Sequence, residues 1–121
     1  MQTINGSCAW KLVYERTPGG IKILRAQTGE KHAVLPDELF GEKITALADH
    51  ALAPSARHIA GEELEIICGR QDPDRTNRDI ESLVLPRFLE NIENYAFYGC
   101  SGLKSLELYG GIKRAGTELF M

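Results

Sequence analysis

The chain lacks the features that would assign it to a membrane or to nucleic acid. No apolar run approaches the roughly 18 residues that a membrane-spanning helix needs. The formal net charge of -3 over 121 residues gives no electrostatic reason to expect nucleic acid or an anionic membrane as a partner. With 43% hydrophobic and 26% charged residues, the composition is that of an ordinary globular protein, and the length corresponds to one domain.

Cysteine is scarce. Cys8, Cys68 and Cys100 cannot complete a disulfide framework, and no CxxC spacing is present for a metal. A free cysteine often behaves as a small buried hydrophobe. We expect this of Cys100, because it lies within a periodic apolar pattern.

The ligand spacings of common metal sites are also missing. The stretch DPDRTNRD contains Asp72, Asp74, Asn77 and Asp79 and invites a calcium interpretation. An EF-hand loop beginning at Asp72 would need Gly at its sixth position and Glu at its twelfth, where this chain has Asn and Leu. We therefore expect residues 70–79 to form an exposed, mobile loop that binds no ion, and we predict no metal and no cofactor.

The sequence also contains no common catalytic motif. His32, His50 and His58 are scattered and form no HExxH pattern. A cysteine–histidine nucleophile pair is formally possible with Cys68 or Cys100, but the sequence identifies no third group that would orient it. We expect a surface position for His50 and no enzymatic activity.

The sequence patterns that are present predict mainly short strands and turns. From Ala9 to Arg25, apolar and polar residues alternate on both sides of the turn sequence TPGG, which predicts a β-hairpin. The stretch HAVLP then predicts a short strand that ends at Pro36. Further along, the segment ELEIIC predicts another strand, within a stretch that is otherwise polar and turn-rich.

An internal similarity organises the second half of the chain. The segment from Ser82 to Tyr98 aligns without a gap on the segment from Ser105 to Met121, at an offset of 23 residues. An earlier copy, AVLPDELFGEKITALADHAL, aligns after about five added residues, so that Leu47 takes the place of Ile92. A period of 23 lies within the roughly 20–29 residues of leucine-rich repeats, whose stacked units bury a continuous apolar stripe. The residues expected in that stripe are Leu83, Leu85, Leu89, Ile92, Ala96, Phe97, Leu103, Leu106 and Leu108.

The repeat resembles a known family. The segment LVLPRFLENIENYAFYGCSGLKSLEL is similar to the unit of BspA-like leucine-rich-repeat proteins, which reads as a short strand ending in Pro, then Ile-x-x-x-Ala-Phe, then Gly-Cys-x-x-Leu. AVLPDELFGEKITALADHAL resembles the family's first unit, and the hairpin resembles its N-terminal cap. The likeness covers about residues 8–121.

The predicted fold is therefore an α/β or mainly β repeat: a short leucine-rich-repeat solenoid with an N-terminal β-hairpin cap, in a single domain, 1–121. The cap would span residues 8–30, and a first repeat residues 31–53. An irregular repeat and loop would follow over 54–79. Residues 80–121 would hold two repeats, of which the last is incomplete.

The resemblance implies a non-catalytic protein–protein interaction or adhesion module of a bacterial protein. The alternative is a structural capping segment of a longer repeat protein, and a cysteine-dependent enzyme is a remote third. We expect a cytoplasmic protein if Met1 is the natural start, because Lys11 interrupts the only apolar stretch that could serve as a signal peptide. A fragment of a longer family member would belong at the cell surface or be secreted.

Two surfaces are candidates for the interaction with a protein partner of unknown identity. Side chains between the inward leucines of each strand should form an extended outer face, made of Ser82, Val84, Ser105, Glu107 and Tyr109. The last unit should leave apolar side chains uncovered at the C-terminal end, which we expect to be covered by self-association of two chains or by further repeats. Those side chains are Leu106, Leu108, Ile112, Leu119 and Phe120.

Overall fold

The protein is built from strands. The computed structural model describes residues 2–54, 59–68, 77, 80–110 and 112, together with the backbone of 114–115. Within these ranges there is no helix, and hence none that could span a membrane. The strands are β1 (Gln2–Asn5), β2 (Trp10–Thr17), β3 (Gly20–Gln27), β4 (His32–Val34), β5 (Glu38–Leu39), β6 (Glu42–Leu47), β7 (Glu62–Ile67), β8 (Ser82–Val84), β9 (Asn91–Ile92), β10 (Ser105–Glu107) and β11 (Arg114–Ala115).

These strands form two open sheets. The larger sheet has the order β1-β7-β2-β3-β6-β9-β11, and β5 pairs with β6 beside this path. It is mixed, because β2 runs antiparallel to β3 and β7 whereas β1–β7, β3–β6, β6–β9 and β9–β11 are parallel pairs. The smaller sheet has the order β10-β8-β4 and is parallel throughout.

The predicted hairpin is confirmed. Strands β2 and β3 pair across a two-residue turn in which Thr17 is opposite Gly20. Gly20 has φ 137°, and a Cβ at this position would lie 2.5 Å from the carbonyl oxygen of Lys43. The position therefore requires glycine, because β3 passes close to the backbone of β6 here.

The 23-residue offset of the sequence coincides with strand register. In the smaller sheet Leu106 pairs with Leu83, which lies 23 positions earlier in the chain. In the larger sheet Leu47 pairs with Ile92, which is the equivalence that the sequence alignment predicts for the earlier copy. Equivalent residues thus lie side by side on parallel strands.

The predicted leucine-rich-repeat solenoid with an N-terminal cap is nevertheless wrong. The hairpin is not terminal, since β2 and β3 lie in the interior of the larger sheet between β7 and β6. The segment expected as an irregular repeat instead contributes β7, which pairs antiparallel with β2 and parallel with β1. The parallel strands are therefore one part of a mixed, mainly β architecture and do not form a solenoid.

Burial explains why β7 takes this place. Leu64 and Ile66 alternate with half-buried glutamates and point into the core. Strand β2 offers them a partner whose own alternating residues, Trp10, Leu12 and Tyr14, are also buried. Pairing the two strands hides both apolar sets at once, which an isolated irregular coil could not do.

Most of the predicted inward stripe is buried in one core that joins both sheets. Leu83, Leu85, Leu89, Ile92, Ala96 and Phe97 are each at most 4% exposed, as predicted, and Cys100 is buried beside them. Leu103 and Leu106 are half-buried against the core. The prediction is wrong for Leu108, which is 50% exposed, because no strand of the described chain lies beyond β10.

The expectation of an exposed loop over residues 70–79 is wrong at Asn77, and its other residues lie outside the described ones. Asn77 is 1% exposed. Its side chain accepts a hydrogen bond from the Thr28 amide at 2.7 Å and donates to the carbonyls of Ala26 and Leu52 at 2.7 and 3.0 Å. With both amide hydrogens donated and the amide oxygen accepting, this side chain links segments that are distant in the chain.

Candidate functional site

The smaller sheet presents the predicted interaction face to solvent. On β8, Leu83 points into the core, so Ser82 and Val84 point outward. The same alternation applies to the neighbouring strands β4 and β10. We call the outward set, with the adjacent Tyr109, the outer face: His32, Val34, Ser82, Val84, Ser105, Glu107 and Tyr109.

Strand register arranges the outer face in two rows. His32, Ser82 and Ser105 pair across the three strands and form a polar row. Val34, Val84 and Glu107 form the second row by the same pairings. The structure thus brings together the sequence-predicted residues of β8 and β10 and adds His32 and Val34, which the sequence analysis did not assign to the face.

The polar row contains a histidine–serine contact. His32 Nδ1 lies 2.8 Å from Ser82 Oγ on the exposed side of the sheet. In a nucleophilic serine site a third group would orient the imidazole and backbone amides would stabilise an oxyanion. Among the described residues no other side chain hydrogen-bonds to His32, and the two residues lie on the solvent-facing side of the strands. The contact fixes the imidazole on the face.

The second row exposes apolar surface. Val34 is 43% exposed and Val84 is half-buried between Val34 and Glu107. The backbone of Val34 is held in place from below, because its carbonyl accepts a hydrogen bond of 2.9 Å from Trp10 Nε1. A valine side chain has few χ1 rotamers, so it can contact a partner with little loss of side-chain entropy.

One end of the outer face is bounded by an arginine. The Arg87 amide donates to Asp37 Oδ1 at 2.6 Å. The guanidinium carbon of Arg87 lies 5.5 Å from the ring centroid of Tyr109, within the range of a cation–π contact. Tyr109, 37% exposed, therefore extends the face past the valine row.

Two of the three cysteines, Cys8 and Cys100, are buried. Burial raises the pKa of the Cys8 thiol and raises the pKa of Cys100 to about 11. Cys100 also donates a hydrogen bond from Sγ to the Leu52 carbonyl at 3.1 Å. Both groups are therefore thiols at neutral pH, which makes them poor nucleophiles. In the described part of the chain no group of three His, Cys, Asp or Glu residues is placed to hold a metal.

A small cavity lies between the N-terminal strand and β4. Its volume is about 270 Å³, just below the roughly 300–1,000 Å³ of typical small-molecule sites. Apolar side chains dominate its lining, with the carboxylate of Glu38 at one side: Ile4, Cys8, Val34, Glu38, Leu39 and Ile66.

The structure shows an aromatic cluster that the sequence analysis did not predict. The ring of His50 stacks on Tyr95 with centroids 5.3 Å apart and an interplanar angle of 23°. Tyr98 completes the cluster, at 5.6 Å from His50 and 6.2 Å from Tyr95. The sequence contained a signal for it, because the 45-residue offset that pairs β6 with β9 also places His50 opposite Tyr95.

At the C-terminal end the structure places three of the five predicted apolar residues. Leu106 and Ile112 are half-buried and Leu108 is half-exposed. Leu119 and Phe120 lie outside the described residues. The exposed apolar surface at this end is therefore centred on Leu108 and the adjacent Tyr109.

Comparisons of the chain with protein-family models, with curated proteins and with solved structures found no match.

Proposed function

We propose that the protein is a non-catalytic protein–protein interaction module that binds its partner through the outer face. The observation that supports this most directly is the row formed by Val34 and Val84, in which one exposed and one half-buried apolar side chain lie beside polar groups on a parallel sheet. Interfaces commonly combine such an apolar centre with a polar rim. The rim here would be the His32–Ser82–Ser105 row and the Arg87–Tyr109 pair.

The chemistry of the face favours binding over catalysis. Its histidine–serine pair lies on an open surface where water is not excluded, and electrostatic stabilisation of a transition state is weak in such a place. The BspA-like resemblance, although the solenoid that it implied is wrong, also supports binding of a protein, and the adhesion role that it implies is part of this proposal.

A paired substitution tests the outer face. Val84→Lys places a charge in the apolar row, and Thr3→Lys makes a similar change at an exposed position of β1, away from the face. The biotinylated wild-type protein is first used to capture partners, and a captured protein is then purified and titrated calorimetrically against the wild type and each variant. We expect Val84→Lys to weaken binding by about tenfold or more, as loss of a central apolar contact does, and Thr3→Lys to leave it unchanged. Equal affinity of both variants would contradict the proposal.

A second candidate function is self-association through the C-terminal end. Leu108 is 50% exposed next to β10, and β10 has a partner on one side only within the described chain. Strand edges with apolar side chains are a common route to pairing between chains. Sedimentation velocity at increasing concentration would show a dimer that Leu108→Lys weakens, whereas a strict monomer would exclude this function.

A purely structural role within a longer protein is the third candidate. In that case neither Val84→Lys nor Leu108→Lys would change an interaction of the isolated chain. The same two experiments therefore separate the three candidates.

A further inference from the structure

The aromatic cluster His50–Tyr95–Tyr98 lies on a surface distinct from the outer face. Its residues belong to the turns that follow β6 and β9 in the larger sheet, whereas the outer face belongs to the smaller sheet. Tyr98 is 41% exposed, so the packed rings present aromatic surface to solvent.

The backbone is held in an uncommon conformation to make this cluster. His50 has φ 57° and Tyr95 has φ 60°, in the left-handed region that few residues other than glycine occupy and that is least expected for the bulky tyrosine. Such conformations cost about 1–3 kcal/mol each and tend to occur where function needs them. Both of these residues direct their rings into the same cluster, and the stack between them offsets part of the cost.

Carboxylates border the rings. Asp49 Oδ2 lies 3.4 Å from His50 Nδ1, and the Asp49 side chain is 61% exposed. Glu93 accepts a hydrogen bond from the Asp49 amide at 3.2 Å and pairs with Lys22 at 2.6 Å. The Asp49 carboxylate thus stands at the edge of the cluster with most of its surface open to a partner.

Cationic side chains of the protein lie over three of its own rings. Arg16 lies 5.6 Å from the ring centroid of the buried Tyr14, Lys43 lies 4.6 Å from that of the half-buried Phe88, and Arg87 lies 5.5 Å from that of Tyr109, which is 37% exposed. Two cations on the neighbouring strand β3 are held by other groups, since Lys22 pairs with Glu93 and Arg25 donates to the carbonyls of Leu24 and Asp49. Within the described part of the chain, no cation lies over the ring of Tyr98.

We propose that the His50–Tyr95–Tyr98 cluster binds an arginine side chain of a protein partner. The planar guanidinium stacks on the open face of Tyr98, and its N–H groups donate to the carboxylate of Asp49. Arginine fits better than lysine, because a planar fork can use a ring and a carboxylate together whereas an ammonium acts as a point charge. The partner segment is therefore basic, which complements a chain with net charge -3.

Nuclear magnetic resonance titration with tetra-arginine amide tests this site. We expect saturable shift changes concentrated at residues 49, 50, 95 and 98. Tyr98→Ala should weaken the binding about fivefold or more, because one cation–π contact is lost. Tyr98→Phe keeps the ring and should bind as the wild type does. Phe40→Ala removes an exposed ring elsewhere and should also leave the affinity unchanged.

Further variants and control peptides distinguish binding at this site from a general attraction of the basic peptide to the acidic protein. Asp49→Asn should weaken tetra-arginine binding with the ring cluster intact, and tetra-glutamate should cause no shifts at the cluster. Shifts spread evenly over the acidic surface, or an affinity unchanged by Tyr98→Ala, would overturn the proposal. Tetra-lysine binding as tightly as tetra-arginine would overturn the assignment to arginine. None of these outcomes depends on the outer face, so the two proposals fail independently.

Discussion

Asn77 shows how much one buried polar side chain can hold together. It connects position 77 to Ala26 of β3, to Thr28 just beyond that strand, and to Leu52 in the turn after β6. Its φ of 63° is a conformation that asparagine tolerates better than most residues. The four hydrogen bonds of this residue, one of them from its own amide to Thr28, are all shielded from water.

Asn77→Asp should therefore destabilise the protein strongly. The carboxylate cannot donate, so the carbonyls of Ala26 and Leu52 lose their partners and face a negative charge in a buried site. We expect the free energy of unfolding to fall by about 3 kcal/mol, as for unsatisfied buried polar groups, measured by urea denaturation. The matched control is Asn5→Asp, an exposed position on β1, which should change stability little. Equal stability of the two variants would contradict the structural role of Asn77.

Cys100 makes stability depend on pH at the alkaline end. Burial raises the pKa of its thiol from 9.0 to about 11 in the folded state. The folded state thus retains the proton that the unfolded chain releases first, so this contribution is complete below pH 9 and is lost as the pH rises towards 11. The loss is on the order of 2 kcal/mol.

Urea unfolding at pH 7 and at pH 10.5 measures this effect. The wild type should lose more stability between the two pH values than Cys100→Ala does, because the variant has no thiol to titrate. A pH dependence that is identical in the two proteins would show that Cys100 does not contribute. Cys8, whose pKa is also raised by burial, remains in both proteins and so cancels in the comparison.

At the scale of elements, the junction of the hairpin with β6 depends on close backbone approach. Gly20 begins β3 where a side chain would meet the Lys43 carbonyl and, at 3.0 Å, the Thr45 methyl group. Gly19, the preceding residue in the same turn, has no atom within 4 Å of the position that its Cβ would occupy. An alanine methyl group would therefore clash with neighbouring atoms at Gly20 but would have free space at Gly19.

Gly20→Ala should destabilise the protein by about 2 kcal/mol or more, because the methyl group clashes with backbone and the residue is forced to a positive φ. Gly19→Ala should have an effect within about 0.5 kcal/mol, as surface substitutions usually do. Thermal unfolding followed by circular dichroism compares the two variants. Similar melting temperatures for both would contradict the close contact between β3 and β6.

At the scale of the whole molecule, β7 decides the architecture. It lies between β1 and β2 and extends the larger sheet beyond the hairpin. Leu64 from this strand is fully buried in the core that the parallel strands also share. The N-terminal and C-terminal parts of the described chain are thus joined through one apolar interior.

Leu64→Ala should therefore cost about 2–5 kcal/mol of unfolding free energy, as expected for a large-to-small change in a core. Leu108→Ala is the matched control, since it removes the same atoms from a half-exposed position. Chemical denaturation should show a clear loss for Leu64→Ala and a much smaller change for Leu108→Ala. The opposite order would contradict the placement of β7 in the common core.

The amino-acid sequence determined the features that depend on neighbours along the chain. Alternating apolar residues around TPGG predicted β2 and β3, and the internal offset of 23 residues predicted which residues of β8 and β10 lie side by side. It also predicted the burial of Leu83, Leu85 and Phe97. These features follow from turn chemistry and from the two-residue period of a strand, both of which are local.

Only the tertiary structure decided which strands pair over long distances and which polar groups are buried. The strand in ELEIIC was visible in the sequence, but its pairing with β1 and β2 was not, because any apolar edge could have accepted Leu64 and Ile66. The burial of Asn77 and the meeting of His50 with Tyr98 depend on segments that are distant in the chain. Such contacts form because they accompany the burial of the whole apolar core, which lowers the free energy of the folded chain. A local sequence pattern does not reveal this total free energy.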